Sequence, residues 1–367
     1  MIKYIIRRIF QAIPTFFGIT VLSYLLMAAA PGGPVAALTF GPNITPQQRA
    51  RVAQQLGVND PFHIQYIRWL IGDSAMRWDS DGDGVSDSTF LLPLGIDLNG
   101  NGDYTDEGDE IFPPGTSDGI IRGDFGRSFF YRRNVTDMLG ERIQATVELG
   151  AAALLVGTVV GIPIGILAAV RRGGLFDNFT RVMSVVFNAI PIFWLGLMLI
   201  LIFGSWLQVL PMGGRTASTL TGGIPPIYER LNYLILPTFV LATGNIAVFS
   251  RFMRASMLDV MSQDYMRTAA SKGLSNISVW FKHGARNALI PIATFLGPSI
   301  TGLLGGAAIT ETIFSWPGLG RFAVQAVTGQ DYPVVMATVI IGALATILGF
   351  IISDILYAII DPRIRFD

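Results

Sequence analysis

The chain of 367 residues has no cysteine and only two histidines, and each scarcity removes a class of chemistry. Without cysteine there are no disulfides, no thiolate nucleophile and no Cys-ligated metal, although the absence does not identify a compartment. His63 and His283 both fall outside the long apolar runs, which argues against a Ser/His dyad working inside a membrane. Charge is scarce as well, at 14% of residues where soluble domains carry about a quarter. The net charge is zero, so the basic excess that tracks phosphates is missing and nucleic acid is not expected as a partner. No G-x-x-x-x-G-K-[ST] phosphate loop occurs, and of three lysines only Lys272 and Lys282 lie beyond the start. What is plentiful is apolar: 51% hydrophobic residues and a mean hydropathy of +0.51 mark an integral membrane protein, and long apolar runs make it an all-α one.

A helix needs about 20 apolar residues to cross about 30 Å of hydrocarbon. Six runs qualify, near 10–30, 146–170, 182–203, 233–252, 288–310 and 334–360. Proline and glycine interrupt several of them, at Gly161, Pro163, Gly165, Pro191 and Pro298, which fits either kinked, moving helices or tight static packing through small residues. Lys3, Arg7 and Arg8 precede the first run, and Arg171, Arg172 and Arg181 lie between the second and third. Six bases between Arg251 and Arg286 separate the fourth from the fifth, and Arg363 and Arg365 follow the sixth. Because cytoplasmic loops retain Lys and Arg, both termini are expected inside and the segment 31–143 outside. Ala28-Ala29-Ala30 after the first run also matches a secretory cleavage site; cleavage would leave five spans and an external new N-terminus.

The outward segment contains an acidic stretch, 73–124, with 13 acids against Arg77 and Arg122. Asp79, Asp81, Asp83 and Asp87 occupy positions 1, 3, 5 and 9 of a calcium-type loop with Gly84 at position 6, the arrangement that wraps a hard cation in a tight turn. Asp97, Asn99, Asn101 and Asp103 begin a second loop of this kind. Phe90 stands at position 12 of the first, where a bidentate Glu closes an EF-hand, so a later acid must close the site. The expectation is a structural calcium ion, set against a simply solvated acidic loop.

The polar segment 251–291 is the expected cytoplasmic contact. Leu258, Met261, Tyr265 and Ala269 fall at helical spacing on one face, with Asp259, Gln263 and Arg267 on another. Thr268, Ala269 and Ala270 are small enough for a partner to approach the backbone, and Gly273 permits the positive φ that ends the helix. Ser275 or Asn276 caps a second helix carrying Val279, Trp280 and Phe281 towards the membrane. A basic amphipathic helix resting on anionic lipid is the competing reading.

The run from Asp264 through Tyr265, Arg267, Thr268, Ala270 and Gly273 to Leu274, followed by His283, Arg286, Asn287 and Pro291, resembles the coupling ("EAA") loop of binding-protein-dependent ABC transporter permeases. It is most similar to the dipeptide/oligopeptide subfamily, where Arg267 and Thr268 replace the general Glu and Ala. Ile5-Ile-Arg-Arg-Ile, Gly123-Asp-Phe-Gly-Arg-Ser128, Glu311 to Gly320, Gln330-Asp-Tyr-Pro333 and Asp361-Pro-Arg363 match in the same order, leaving out 73 to about 121. The resemblance implies a type I importer fold of six helices with an external acidic insert between helices 1 and 2. The divisions are 1–30, 31–143 and a permease core, 144–367, in the plasma (inner) membrane. It implies a second homologous permease, two cytoplasmic ATPases that bind ATP-Mg, and an extracytoplasmic binding protein delivering a peptide. The coupling contacts would be Asp264, Arg267, Thr268, Ala269, Ala270, Gly273 and Leu274. Relatives with this pattern also carry nickel chelates, glutathione and sugars, so the cargo stays open.

Polar and aromatic residues inside the runs are candidates for the pathway, because unpaired polar groups are costly in lipid: Asn188, Trp194, Asn245, Glu148 and Asp354. For each, an interhelical hydrogen bond is the alternative. Glu311 is a further pathway candidate, and with Phe314, Trp316 and Pro317 at the outer end of the fifth run it fits a re-entrant turn or an interfacial anchor. A secondary transporter or channel would also explain six spans, but it has no need of a cytoplasmic docking loop.

Overall fold

The computed structural model describes residues 2–29, 60–96, 110–216, 226–292, 299, 302 and 307–360. Asp97, Asn99, Asn101 and Asp103, Pro298 and most of the run 288–310 lie outside the described residues. Helix α1 spans Ile2–Ala28, α2 Phe62–Ile71, α3 Val135–Val170, α4 Leu175–Ala189, α5 Ile192–Leu199 and α6 Ile227–Met261. They are followed by α7 Asp264–Ser271, α8 Asn276–Ser278, α9 Ala285–Ala288, α10 Ala308–Ile313, α11 Leu319–Thr328 and α12 Tyr332–Ile360. Stretches of α1, α3, α6 and α12 are each long and apolar enough to cross a membrane, and α4 with α5 and its extension to Trp206 makes a fifth candidate if counted as one span.

That fifth candidate replaces the single run at 182–203 by two helices meeting at Pro191, one of the residues expected to interrupt it. The helices before and after Pro191 are bent by 98°, with Ile190 and Pro191 both extended (ψ 124° and 130°). Proline has no N–H to continue the ladder and pushes the preceding residue out of the helical region. Pro163, also named as an interruption, lies inside an unbroken helix, as do Pro14 and Pro237. Helix α3 starts well before the expected 146: its 36 residues span about 54 Å, more than the hydrocarbon needs.

Two compact units form. The helical unit comprises Met1–Phe16, Glu141–Val324 and Ile341–Asp367. In it, Gly157, Gly161 and Gly165 repeat every fourth residue along α3 and lie against Asn245, Ile246 with Phe249, and Met253 of α6. A Cβ on Gly165 would stand 2.6 Å from the Ser250 carbonyl oxygen, so the stripe lets two backbones touch. Below it, Ile166, Ala169, Phe249, Met253, Met257, Ala285 and Ala288 form a buried core. Asp177 at the start of α4 accepts two parallel hydrogen bonds from Arg254 of α6, at 2.6 and 2.7 Å, and a third from the Gly173 amide at 2.9 Å.

The hairpin unit comprises Phe17–Gly140 and Gln325–Ile340. Tyr24 of α1 packs its ring against Phe62, Tyr66 and Trp69 of α2. Two short antiparallel pairs follow: β1 Arg77–Trp78 with β2 Ser88–Thr89, and β3 Gly95–Ile96 with β4 Glu110–Ile111. Asp331 is buried; its carboxylate accepts from the Ser128 hydroxyl at 2.5 Å and from the Phe129 and Phe130 amides. That contact joins two of the sequence motifs, Gly123–Ser128 and Gln330–Pro333.

Candidate functional site: coupling helix, pathway cavity and acidic loop

Helix α6 stops at Met261, and Gln263 is extended (φ −80°, ψ 147°) before α7 begins. This break resets the helical phase, which corrects the apolar stripe read across 258–269. Met266 and Ala269 turn inward against Val279, while Tyr265 is exposed. Asp264, Arg267, Thr268, Ala270, Lys272, Gly273 and Leu274 are exposed, so of the expected coupling residues Ala269 alone faces the protein. Gly273 has φ +75° and its amide closes the helix onto the Ala270 carbonyl at 3.0 Å. Ser275, rather than Asn276, caps the next helix by accepting the Ser278 amide at 3.4 Å. The helical path then widens through a π-turn, Val279–Gly284, before α9.

The expected pathway residues divide. Asn245 and Glu311 line one cavity of about 370 Å³ with Thr146, Leu149, Leu241 and Phe249. Glu311 is fully buried; its carboxylate accepts from the Thr146 hydroxyl at 2.8 Å and the Arg321 amide at 2.9 Å. Asn188 is exposed on α4 and donates to the Ser184 carbonyl of its own helix, and Trp194 is 47% exposed. Neither lines that cavity. Asp354 pairs with Arg8 at 2.9 Å. Phe314 and Trp316 are buried, and Trp316 donates to the Ala145 carbonyl, so the turn after α10 packs inside the unit and is not an interfacial anchor.

Sequence reasoning missed Arg215 and Arg230. Both guanidiniums donate to the same oxygen of Glu148, and Arg215 also lies 6.0 Å over the Trp316 ring. Their one signal was charge at the edge of a long apolar run, where it reads as loop.

In the acidic loop, the ligand oxygens of Asp79, Asp81 and Asp87 lie within 4.8 Å of one another. Asp79 accepts the Gly84 and Gly82 amides, at 2.8 and 2.6 Å, which hold its carboxyl below the usual range. The Ser80 hydroxyl and amide do the same for Asp87. At Asp81 the Asp83 amide pulls the carboxyl down, but the hydrogen bond with Asp79 and the charge of Asp83 leave it raised. Asp83 accepts the Val85 amide at 2.7 Å and is not within that trio, and Phe90 is half-exposed.

Residues 161–366 match the model of the "Binding-protein-dependent transport system inner membrane component", and residues 1–84 match that of its N-terminal region. "Oligopeptide transport system permease protein AppB" of Bacillus subtilis is 37% identical over all of both chains. "Dipeptide transport system permease protein DppB" of Escherichia coli is 34% identical over 100% of this chain and 99% of that one. "Glutathione transport system permease protein GsiC" of Salmonella paratyphi A is 33% identical over the full length of both. A solved structure of the inward-facing MetNI methionine ABC transporter has 19% identity and a TM-score of 0.48, covering 62% of this chain and 97% of that one. The chain therefore belongs to the binding-protein-dependent ABC transport permeases of the oligopeptide/dipeptide type, membrane components of importers and not their ATPases.

Proposed function

We propose that this chain is one permease of an ATP-driven peptide importer with the type I arrangement of six spans. It pairs with a second, homologous permease to enclose the pathway, and two ATPases carrying ATP-Mg dock on its cytoplasmic side. An extracytoplasmic binding protein delivers di- or oligopeptides. The names of the AppB and DppB relatives support peptide cargo, and the glutathione permease keeps a modified tripeptide as the nearest alternative. In this reading both termini are cytoplasmic, the hairpin unit with its acidic insert faces outward, and lipid surrounds the exposed apolar faces of α1 and α4. A calcium ion on Asp79, Asp81 and Asp87 would offset the repulsion that leaves Asp81 raised.

One observation carries the coupling role. Helix α7 is anchored by Met266 and Ala269 and presents Arg267, Thr268, Ala270, Gly273 and Leu274 to the outside, in a chain with no phosphate loop of its own. A firmly anchored helix transmits force; a loose one would not. The absence of cysteine makes the test clean: a single Ala270→Cys should cross-link to an ATPase subunit in the assembled complex, with a yield that changes on adding ATP. Gly273→Asp should abolish uptake and peptide-stimulated ATP hydrolysis while the complex still inserts. Uptake at the wild-type rate in that variant would remove the coupling assignment.

A further inference from the structure

Glu148 on α3 stands within a candidate span, as does Arg230 on α6, and Arg215 reaches them from the segment before residue 217. Three donors, Arg215 Nε and Nη2 and Arg230 Nη1, converge on Glu148 Oε2. The side chains are only 10–13% exposed. Two cations share one anion, and among the described residues no second carboxylate lies within ion-pair distance of either arginine. The cluster is also unsaturated: Glu148 Oε1 and Arg230 Nε are buried with no hydrogen-bond partner among the described residues. A buried excess charge and unmade hydrogen bonds both cost stability, and within a membrane span such a group marks a functional contact.

Its surroundings indicate which contact. Leu149, next to Glu148, and Leu241 of α6 line the cavity that holds Asn245 and Glu311; the three charged side chains lie behind that lining and not in it, and the Arg215 guanidinium sits over Trp316, which packs on Ala145 and Leu149. We propose that Arg215 and Arg230 receive the terminal carboxylate of the cargo, with Glu148 as their resident counter-ion. One monovalent anion brings the cluster to neutrality and can accept from Arg230 Nε, whereas a dianionic phosphate would overshoot. Glu148 keeps both guanidiniums in place between cargoes. This inference rests on the peptide-importer reading and extends it to a specificity-determining contact.

The test uses the assembled transporter in proteoliposomes with binding protein saturated by a dipeptide or by the same dipeptide as its C-terminal amide. Wild type should move the free acid about tenfold faster, the loss of one charge-assisted contact. Arg215→Gln and Arg230→Gln should slow the acid more than the amide and bring the ratio towards one, and Arg215→Lys should keep most of the preference. Ratios unchanged in both Gln variants, or acid and amide falling together in Gln and Lys variants alike, would overturn the proposal in favour of a structural latch. If the Gln variants fail to insert, Glu148→Gln decides: the ratio should rise, and a ratio that stays or falls ends the idea. Were wild type to move neither cargo, the importer reading itself would be at fault.

Discussion

Two buried ion clusters in the helical unit differ in one respect that separates scaffold from site. Asp177 is wholly buried and its carboxylate is saturated: Arg254 supplies two parallel bonds and the Gly173 amide a third, with the charge of Arg181 also acting on it. Glu148 meets two arginines through one oxygen, and among the described residues the other has no partner. A saturated carboxylate has nothing left to bind and holds α4 to α6. An unbalanced, unsaturated one has both charge and hydrogen bonds to offer.

The same substitution at each cluster tests this difference. Arg254→Met should destabilise the protein by about 3–5 kcal/mol in chemical denaturation in detergent, because it strands Asp177 as a buried charge. Arg230→Met should cost less than about 1 kcal/mol, since Glu148 and Arg215 remain as a neutral pair. Equal losses would erase the distinction, and a larger loss at Arg230 would reverse it. The smallest effect is expected in the acidic loop, where Asp79, Asp81 and Asp87 gather with no ion pair among the described residues. Asp79 and Asp87 have depressed folded values, so their contribution to loop order is present above the ordinary carboxylate range, near pH ~4, and fades as pH falls through those values. Asp81 is shifted the other way and opposes them. Amide resonances of Gly82 and Gly84 should therefore lose dispersion on acidification, and millimolar calcium should move that transition to lower pH. A transition indifferent to calcium would leave a plain acidic loop.

Much of the helical layout is legible in the sequence, because a membrane span is a length of apolar chain and four such lengths, α1, α3, α6 and α12, recur in the structure. The bend at Pro191 is not, since Pro14, Pro163 and Pro237 sit in equally apolar runs and leave their helices unbroken. Residue type does not tell a proline that neighbours accommodate from one that ends a helix. The face of α7 was misassigned because periodicity assumes one continuous helix, and the extended Gln263 breaks it. Gly273 was readable, as a glycine at a helix end with φ +75°. Arg215, Arg230 and the Glu311–Thr146 contact were not, because they depend on which residues distant in the chain come together.

The Asp331 carboxylate holds Ser128 across 203 positions of sequence. Contacts between such remote residues form late, after the intervening loop entropy has been met. The hairpin unit draws on both 17–140 and 325–340, so synthesis must pass Asp331 before its parts can be joined. A ribosome stalled between α6 and α11 would hold a chain in which α3 and α6 are already made and free to pack along their glycine stripe. Ser128 and the neighbouring amides would still lack their acceptor. Truncations from the C-terminal side should therefore expose this surface to proteases as soon as they remove Asp331, well before they reach the seam between α3 and α6.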